Sequence, residues 1–309
     1  MDKQHQSVLL EQAVQALLGD KDGFYIDATF GRGGHSKRIL AGLSEHGRLL
    51  VIDKDPEAVA MARRIAEQDK RLSVHHGSYT ALAELVEALG MKGQVAGVLM
   101  DLGVSSPQLD DPLRGFSFMQ DGPLDMRMNT TAGISAKDWL AQADERSIAD
   151  VLYQFGEERY SRRIAAAIVR QRQEKQISST LELAEIIKTA HPRWEKNKHP
   201  ATRSFQAIRI FVNSELEDLR RTLPDILEVL AIGGRLVVIS FHSLEDRIVK
   251  RFIQDEVRGD DFPADLPIRQ EELKPRLKHI GKAVKASAEE LTENIRARSA
   301  VMRTAEKIA

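Results

Sequence analysis

Cysteine is absent from this chain of 309 residues. Its absence excludes disulfide bridges, thiolate metal sites and cysteine nucleophiles. The chain also has no run of about 18 apolar residues, the length that a membrane-spanning helix needs, so no membrane partner is expected. The first residues, Met1 to Gln6, are polar and unlike the apolar core of a signal sequence. Together these absences predict a cytoplasmic enzyme with a full hydrophobic core.

The chain has little net charge, −1 overall, but the charges are unevenly distributed. Residues 158–209 hold 12 basic and 5 acidic side chains. Such a block could neutralise several phosphates of a nucleic acid. A solvated helix face is the commoner origin of a charge run, and it stays open as the alternative. The basic residues in question include Arg159, Arg162, Arg163, Arg170, Arg172, Lys175, Arg193, Lys196, Lys198 and Arg203.

Hydrophobic periodicity predicts alternating strands and helices in the first third of the chain. The strands are expected at Phe24–Ala28, Arg48–Asp53, Leu72–His75 and Val95–Asp101, with helices such as Pro56–Gln68 and Ala81–Leu89 between them. A loop then leads into helices near Ala136–Ala143, Ser147–Phe155, Ser161–Glu174 and Thr180–Ala190. Later come a strand at Gly233–Ser240, a helix at Leu244–Gln254, an irregular segment at Arg258–Ala288 and an edge strand at Ser299–Arg303.

This order predicts an α/β fold: a doubly wound, Rossmann-like sheet with an inserted all-helical domain. The sheet domain is expected to be discontinuous, comprising residues 1–110 and 205–309, with the insertion at residues 111–204. Loops that follow the carboxyl ends of the strands are where ligands bind in such sheets. The insertion and its basic block are therefore expected beside the ligand crevice, in a role that clamps a substrate.

The first strand ends in Asp27 and opens into a turn that contains Gly31, Gly33 and Gly34. The second strand ends in Asp53, placed to accept hydrogen bonds from ribose hydroxyls. A dinucleotide site would have a third glycine at position 36, which is serine here. The carboxylate of Asp27 would repel a pyrophosphate and suits a positively charged ligand, so the pattern favours S-adenosylmethionine.

Several further motifs occur in a fixed order along the chain. They are Asp101–Asp110, Arg114–Phe118, Gly122–Met128, His199–Arg203, Phe205–Arg209 and Ser240–Arg247. Together with Phe30–Ser36 they resemble the RsmH (MraW) family of bacterial small-subunit ribosomal RNA methyltransferases. The resemblance extends from about Ser7 to Arg303, which is essentially the whole chain.

The resemblance implies a class I methyltransferase that uses S-adenosylmethionine. The implied reaction methylates the exocyclic N4 of a cytosine in the decoding centre of 16S rRNA, within the small ribosomal subunit rather than as free RNA. The resemblance leaves open whether the protein forms a homodimer. The implied cofactor-binding residues are Gly33, Gly34, His35, Asp53, Tyr79, Asp101 and Gln108.

Asp101 is the first candidate for the catalytic residue, because it ends the fourth strand at the crevice and a carboxylate can accept the N4 hydrogens. Its motif, Asp101-Leu102-Gly103-Val104, lacks the proline pair and aromatic ring of many amino-methylating enzymes, so a purely cofactor-binding role stays open. For the target RNA, His199, Arg203 and Arg209 are expected to hold the phosphate backbone. Arg127 is expected to contact the target base, and Phe241 is expected to stack on it.

The same residues are compatible with other functions to different degrees. A zinc site is not expected, because His191 and His199 lack ligand spacing, and no metal is assigned. An NAD-dependent oxidoreductase would use the same turn and Asp53 but should have a third glycine. A non-catalytic RNA-binding module would explain the basic block but not the aspartates that end three strands.

Overall fold

The computed structural model describes residues 7–193, 199–259 and 273–309. Met1–Gln6, Lys196 and Lys198 of the basic block, and part of the segment predicted as irregular lie outside the described residues. The chain divides into two compact units, one comprising Met1–Gly103 with Leu216–Ala309, the other Val104–Glu215. Among the described helices, none combines the length and the apolar composition that a bilayer crossing requires.

The first unit contains an eight-stranded sheet. In chain order the strands are β1 Phe24–Asp27, β2 Arg48–Asp53, β3 Leu72–His76, β4 Val95–Asp101, β5 Leu230–Ser240, β6 Leu277–His279, β7 Val284–Lys285 and β8 Val301–Lys307. Their spatial order is β3-β2-β1-β4-β5-β8-β6, and β7 also pairs with β8. Strands β1 to β5 are parallel, whereas β8 runs antiparallel to β5 and β6. This is the predicted doubly wound sheet.

Helices account for most of the remaining described residues. They are α1 Leu10–Leu17, α2 Gly34–Gly42, α3 Pro56–Gln68, α4 Leu82–Ala88, α5 Ser106–Asp110, α6 Ala136–Gln142, α7 Glu145–Gly156, α8 Ser161–Glu174, α9 Thr180–Ala190, α10 Ala201–Val212, α11 Glu215–Val229, α12 Ser243–Arg258 and α13 Ala288–Glu293. Helix α3 illustrates the local chemistry of a helix start: Asp55 accepts a hydrogen bond from the Glu57 backbone N–H, and Pro56 occupies the first turn.

Alternate residues of the central strands enter two different cores. Ile26, Ile52 and Met100 pack in one core with residues of α4, α11 and α12, while Tyr25 and Leu99 pack in the other with residues of α1, α2 and α3. This alternation follows from the two-residue period of a strand, which sends successive side chains to opposite faces. Because both faces are covered by helices, these strands consist of continuous apolar runs.

The predicted edge strand Ser299–Arg303 is wrong in its position. The observed strand β8 pairs with β5 on one side and with β6 and β7 on the other, so it lies inside the sheet. The segment predicted as irregular, Arg258–Ala288, supplies these outer strands. They are three and two residues long. Strands of that length are too short to show a hydrophobic period, and only their pairing with β8 defines them.

The second unit is helical and has its own core. Residues such as Leu152, Ile164 and Ile187, from three different helices, are fully buried there. The unit extends beyond the predicted insertion at both ends, since it begins at Val104 rather than 111 and ends at Glu215 rather than 204. The predicted boundary at 204/205 cuts through α10, whose buried Phe205 belongs to this core. Helix α10 contacts α7, which is distant from it in sequence, so α10 belongs to the helical unit and the boundary of that unit follows α10.

Candidate active site

Three aspartates end neighbouring strands of the sheet. Asp27 ends β1, Asp53 ends β2 and Asp101 ends β4. Strands β1 and β4 are adjacent although they are not consecutive in the chain, so the winding direction reverses between them. A crevice at the carboxyl ends of strands on either side of such a reversal is where this fold binds ligands. The three aspartates therefore belong to one edge of one sheet, as the sequence predicts.

A glycine turn connects β1 to α2 at this edge. Gly31 and Gly33 have φ values of +55° and +75°, a region that other residues rarely adopt. A Cβ on Gly33 would lie 2.6 Å from the ring of Phe30, so the turn has no room for a side chain there. The N-cap residue of α2 is Gly33, which offers no capping side chain. This helix N-terminus thus leaves backbone N–H groups for a ligand.

Asp27 is buried beneath the turn instead of facing a ligand. Its Oδ1 accepts a hydrogen bond from the Thr29 backbone N–H at 3.1 Å, and its Oδ2 accepts one from the Ser36 hydroxyl at 2.5 Å. Burial raises the pKa of Asp27 to about 6, although both hydrogen bonds act in the opposite direction. The prediction that this carboxylate meets the positive charge of a ligand is therefore wrong: at 1% exposure it braces the turn.

Ser36 occupies the position where a dinucleotide site would have its third glycine. Its fully buried hydroxyl binds Asp27 across the turn. The serine at this position thus has a structural role, because its hydroxyl and the strand-end aspartate form a hydrogen bond that closes the turn. No feature of the sequence alone pairs these two residues.

Asp53 is partly exposed and holds the opposite side of the turn. Its Oδ2 accepts a hydrogen bond from the Gly31 backbone N–H at 2.7 Å, and its Oδ1 accepts one from the Asp55 N–H at 2.8 Å. Burial raises its pKa to about 7, with smaller contributions from the charges of Asp55 and Asp27. Each carboxylate oxygen has a second lone pair, so these bonds leave acceptor capacity for ribose hydroxyls.

Asp101 ends β4 with one oxygen that has no partner. Its backbone N–H donates to Thr29 Oγ1 at 2.6 Å, which ties β4 to the glycine turn. Among the described residues, nothing bonds to its buried Oδ1, and its Oδ2 lies 3.6 Å from Nδ1 of His35. Burial raises the pKa of Asp101 well above its usual value, and the negative charges of Asp27 and Glu245 add to the shift.

His35 lies in the first turn of α2 with a buried ring. Its Nε2 is 3.1 Å from the backbone oxygen of Val8. Burial lowers the pKa of His35 to about 4, so the ring is neutral at physiological pH. Its two nitrogens thus lie near Val8 and Asp101, and its predicted contact with the cofactor stays a prediction.

Glu245 is a buried carboxylate that the sequence analysis did not single out. Its Oε2 accepts hydrogen bonds from the backbone N–H groups of Phe241 and His242, at 2.9 and 3.3 Å. It sits three residues past the N-cap of α12, the spacing of a capping box, which is the local signal that could have found it. Phe241 follows β5 two residues beyond Ile239, the partner of Asp101 in the sheet, and its half-buried ring packs against the core.

Tyr79 begins a short 3₁₀ turn after β3. The ammonium group of Lys54 lies 5.8 Å from the centre of its ring, within the range of a cation–π contact. Asp218 of α11 holds this corner together, since it accepts hydrogen bonds from Lys54 at 2.5 Å and from the Ser78 hydroxyl at 3.0 Å. The predicted adenine contact therefore follows β3, the strand that pairs with β2, and Asp53 ends β2.

Comparison with known proteins decides which ligand class this crevice serves. The model of the MraW methylase family matches residues 2–308. The chain belongs to the MraW methylase family. Three similar relatives carry the name ribosomal RNA small subunit methyltransferase H. They come from Chromohalobacter salexigens (57% identity over 308 residues, 99% of this chain and 92% of that protein), Pseudoalteromonas atlantica (55% over 306, 98% and 98%) and Legionella pneumophila (55% over 305, 99% and 99%).

Membership of the MraW methylase family confirms the predicted resemblance, the fold class and a methyltransferase that uses S-adenosylmethionine. It also separates the three functions that the sequence left open. Neither an NAD-dependent oxidoreductase nor a non-catalytic RNA-binding module is consistent with a methylase family that covers the whole chain. The individual site residues are not tested by this match and stay predictions.

In this MraW family member, Gln108 belongs to the second unit, whereas the other predicted cofactor residues belong to the first. Its buried side chain accepts a hydrogen bond from the Ser105 backbone N–H at 2.8 Å and closes a capping box at the start of α5. This local role accounts for a glutamine at position 108. Its predicted contact with the cofactor stays a prediction.

The predicted RNA-binding arginines of the second unit already have intramolecular partners. Arg127 forms two side-chain hydrogen bonds with Asp125, at 2.8 and 2.7 Å, and Arg209 forms two with Glu215, both at 2.8 Å. A phosphate would have to replace these carboxylates. Arg203 donates to the Glu157 backbone oxygen at 3.5 Å.

His199 is exposed and lies at the start of α10. Its Nδ1 accepts a hydrogen bond from the Ala201 N–H, and its ring lies 4.7 Å from that of Phe118. Desolvation and the charge of Lys188 lower its pKa, with Glu185 acting in the opposite direction. A neutral ring that is accessible beside an aromatic side chain is compatible with the predicted contact to RNA.

The burial of Asp27 predicts a specific pH dependence of stability. Its pKa is 3.8 in an unfolded chain and about 6 in the fold, so the native state binds the proton more tightly. The free energy of unfolding of the ligand-free protein should therefore fall as pH rises from about 4 to about 6, by up to about 3 kcal/mol from this group. Urea unfolding of Asp27→Asn should show a smaller fall over that window. Replacement of the exposed Asp255 by asparagine is the control, and equal slopes in all three proteins would contradict the assignment.

Proposed function

We propose that this protein transfers a methyl group from S-adenosylmethionine to the exocyclic N4 of a cytosine in the decoding centre of 16S rRNA. The observation that carries the proposal is the convergence of Asp53, Asp101 and the glycine turn at one sheet edge, in a chain whose full-length relatives are named small-subunit rRNA methyltransferases. We further propose that it acts in the cytoplasm on the assembled small ribosomal subunit.

The residues at the crevice fit S-adenosylmethionine chemically. The start of α2 has no capping side chain, so its backbone N–H groups can bind a ligand, while Asp53 retains lone pairs for a ribose. The Tyr79 ring would pack beside the adenine. In the described part of the chain Oδ1 of Asp101 has no partner, so this carboxyl group can accept a hydrogen bond from the amino group at the methionine end. The bound donor would supply an electrophilic methyl group.

The protein's task in this reaction is to orient a weak nucleophile. The N4 lone pair of cytosine is delocalised into the ring, so the amino group must be held in line with the methyl group. Asp101 would accept a hydrogen bond from N4 and take up the proton that N4 loses. Phe241, which follows the neighbouring strand end, would stack on the base once it leaves its helix.

The second unit carries a set of exposed arginines that suits the RNA backbone. Arg172 and Lys175 of the basic block have protein partners, the carbonyls that end α6 and Glu182 respectively. Arg203 has the hydrogen bond given above. The other described arginines of this block are exposed and have no carboxylate partner among the described residues; they are Arg159, Arg162, Arg163, Arg170 and Arg193. Unpaired cations on one helical unit favour a polyanion as partner over the alternative of a salt-bridged helix face.

The direct test of the function uses small ribosomal subunits from cells that lack this protein. Incubation with the purified protein and isotopically labelled S-adenosylmethionine should place label on a single cytosine, located by mass spectrometry of rRNA fragments. Free 16S rRNA serves as the second substrate and should be labelled far more slowly. An rRNA methylation pattern that is identical in cells with and without the protein would contradict the proposal.

The double substitution Arg162→Ala/Arg163→Ala at the start of α8 should weaken subunit binding without changing cofactor affinity. Each lost phosphate contact reduces the slope of log affinity against log salt concentration by about one, so a fall of up to about two is expected. The matched control is Arg63→Ala/Arg64→Ala, an exposed pair on α3 of the first unit. Binding measured over a salt series tests this, and equal slopes for the two double variants would remove α8 from the interface.

A further inference from the structure

The imidazole of His35 has a tautomer that the structure determines. Its Nε2 lies 3.1 Å from the carbonyl oxygen of Val8. A carbonyl oxygen only accepts hydrogen bonds, so Nε2 must carry the proton. In the neutral ring the other nitrogen, Nδ1, then has a lone pair and no proton. Oδ2 of Asp101 lies 3.6 Å from this nitrogen, just beyond hydrogen-bond distance, so a small shift of either side chain brings the two groups into contact.

Two unprotonated acceptors at this distance repel each other, so a proton between them stabilises the pair. One oxygen of Asp101 has no donor to offset an ionised state in the ligand-free protein: its Oδ1 is buried without a partner in the described part of the chain, although 24% of the side chain is exposed. A buried carboxylate without donors is costly, whereas the neutral acid can donate its proton to an acceptor. The acceptor that the structure provides is Nδ1 of His35.

The groups around Asp101 act in the same direction. His35 faces it from α2, Asp27 lies at the end of the neighbouring β1, and Glu245 contributes from α12. Both carboxylates disfavour a further negative charge and raise the pKa of Asp101, while burial lowers the pKa of His35. Both shifts favour Asp101 over His35 as the group that holds a proton between Oδ2 and Nδ1.

We propose that His35 is a positioning residue for Asp101, with Nδ1 as the acceptor that stabilises the protonated carboxyl group. The consequence for catalysis rests on the proposed function. As the bond from N4 to the methyl group forms and the bond from sulfur to that carbon breaks, N4 loses one proton, which the ionised carboxylate of Asp101 takes up to become the neutral acid. By stabilising that acid on Oδ2, His35 makes Asp101 a stronger base. His35 thus acts through Asp101, in addition to any contact of its backbone with the cofactor.

The substitution His35→Gln separates this role from a structural one. The terminal amide of glutamine extends as far as Nε2 of histidine and can still donate to the Val8 oxygen, but it places a methylene group where Nδ1 stood. We expect the pKa of Asp101 to fall by about one unit, the size of a single lost hydrogen bond to the acid form. Infrared difference titration of the ligand-free protein measures this directly, with Asp101→Asn subtracted to isolate the carboxyl band.

The pH profile of methyl transfer gives a second measurement. In a plot of kcat against pH, the rising limb should move to lower pH in His35→Gln by the same amount. When Asp101 is already replaced by asparagine, the further substitution His35→Gln should not move the limb. His46→Gln, which removes a histidine that is 73% exposed, should leave the limb in place. Calorimetry with S-adenosylmethionine checks that each variant keeps its binding site.

Nitrogen-15 spectra of labelled histidines test the proposal in the native protein, even if His35→Gln does not fold. The Nδ1 resonance of His35 should indicate a hydrogen-bonded lone pair and should shift in Asp101→Asn. An unchanged resonance, or an Asp101 titration that is the same in His35→Gln and in the native protein, would overturn the proposal. A native protein that fails to methylate subunits would instead contradict the proposed function and leave these titrations unaffected.

Discussion

Replacement of Asp101 by asparagine is expected to lower the rate of methyl transfer to small subunits by about 10²- to 10⁴-fold, the contribution of a well-placed proton acceptor. Asparagine keeps the size of the side chain and its backbone bond to Thr29, but it cannot take up the proton that N4 loses. The rate is measured under single turnover with labelled donor, so that product release does not mask the chemical step.

Cofactor affinity distinguishes the two roles that the sequence left open for Asp101. If Asp101 is catalytic, the affinity for S-adenosylmethionine measured by calorimetry should change far less than the rate. Equal losses in affinity and in kcat/KM would assign it to cofactor binding alone, and full activity in the variant would remove it from the mechanism. The exposed Asp255→Asn on α12 is the control for loss of a carboxylate elsewhere in the same unit.

Replacement of Asp53 by alanine should weaken cofactor binding by about 10- to 100-fold, because each hydrogen bond to a charged group contributes about 1.5–3 kcal/mol. Part of the loss will come from the turn, since Asp53 also holds the Gly31 and Asp55 N–H groups. The melting temperature of the ligand-free variant measures that part.

A deoxyribose analogue of the cofactor isolates the contact with the ribose. The native protein should bind S-adenosylmethionine more tightly than an analogue that lacks one ribose hydroxyl, whereas Asp53→Ala should bind the two with equal affinity. A variant that still discriminates between the two ligands would show that another residue recognises the ribose. This double comparison cancels any effect of the substitution on the turn.

Residues whose roles depend on local pattern were predicted well. Strands β1 to β4 and helix α3 lie where hydrophobic periodicity expects them, because a strand or helix buried on a defined face shows its period within a few turns of chain. The three strand-end aspartates were found for the same reason. Helices α10 and α11 were not predicted, and the boundary of the inserted unit was placed inside α10 as a result.

Contacts between residues that are distant in the sequence could not be predicted from the sequence. Asp27, Asp53 and Asp101 are equivalent as strand-end carboxylates, and nothing local distinguishes the buried one from those available to a ligand. Asp27 is buried because Ser36 closes over it, nine residues further along the chain. Arg127 and Arg209 have the chemistry of phosphate anchors, but the fold gives each a carboxylate partner.

The sequence by itself determined the doubly wound sheet, the glycine turn and the methyltransferase family, because apolar period and contiguous motifs are properties of neighbouring residues. Only the tertiary structure decided that β8 lies inside the sheet, that Asp27 braces the turn and that Nδ1 of His35 faces Asp101. Strand pairing, burial and the protonation state of a carboxyl group depend on groups brought together from distant parts of the chain, and these meet only in the folded protein.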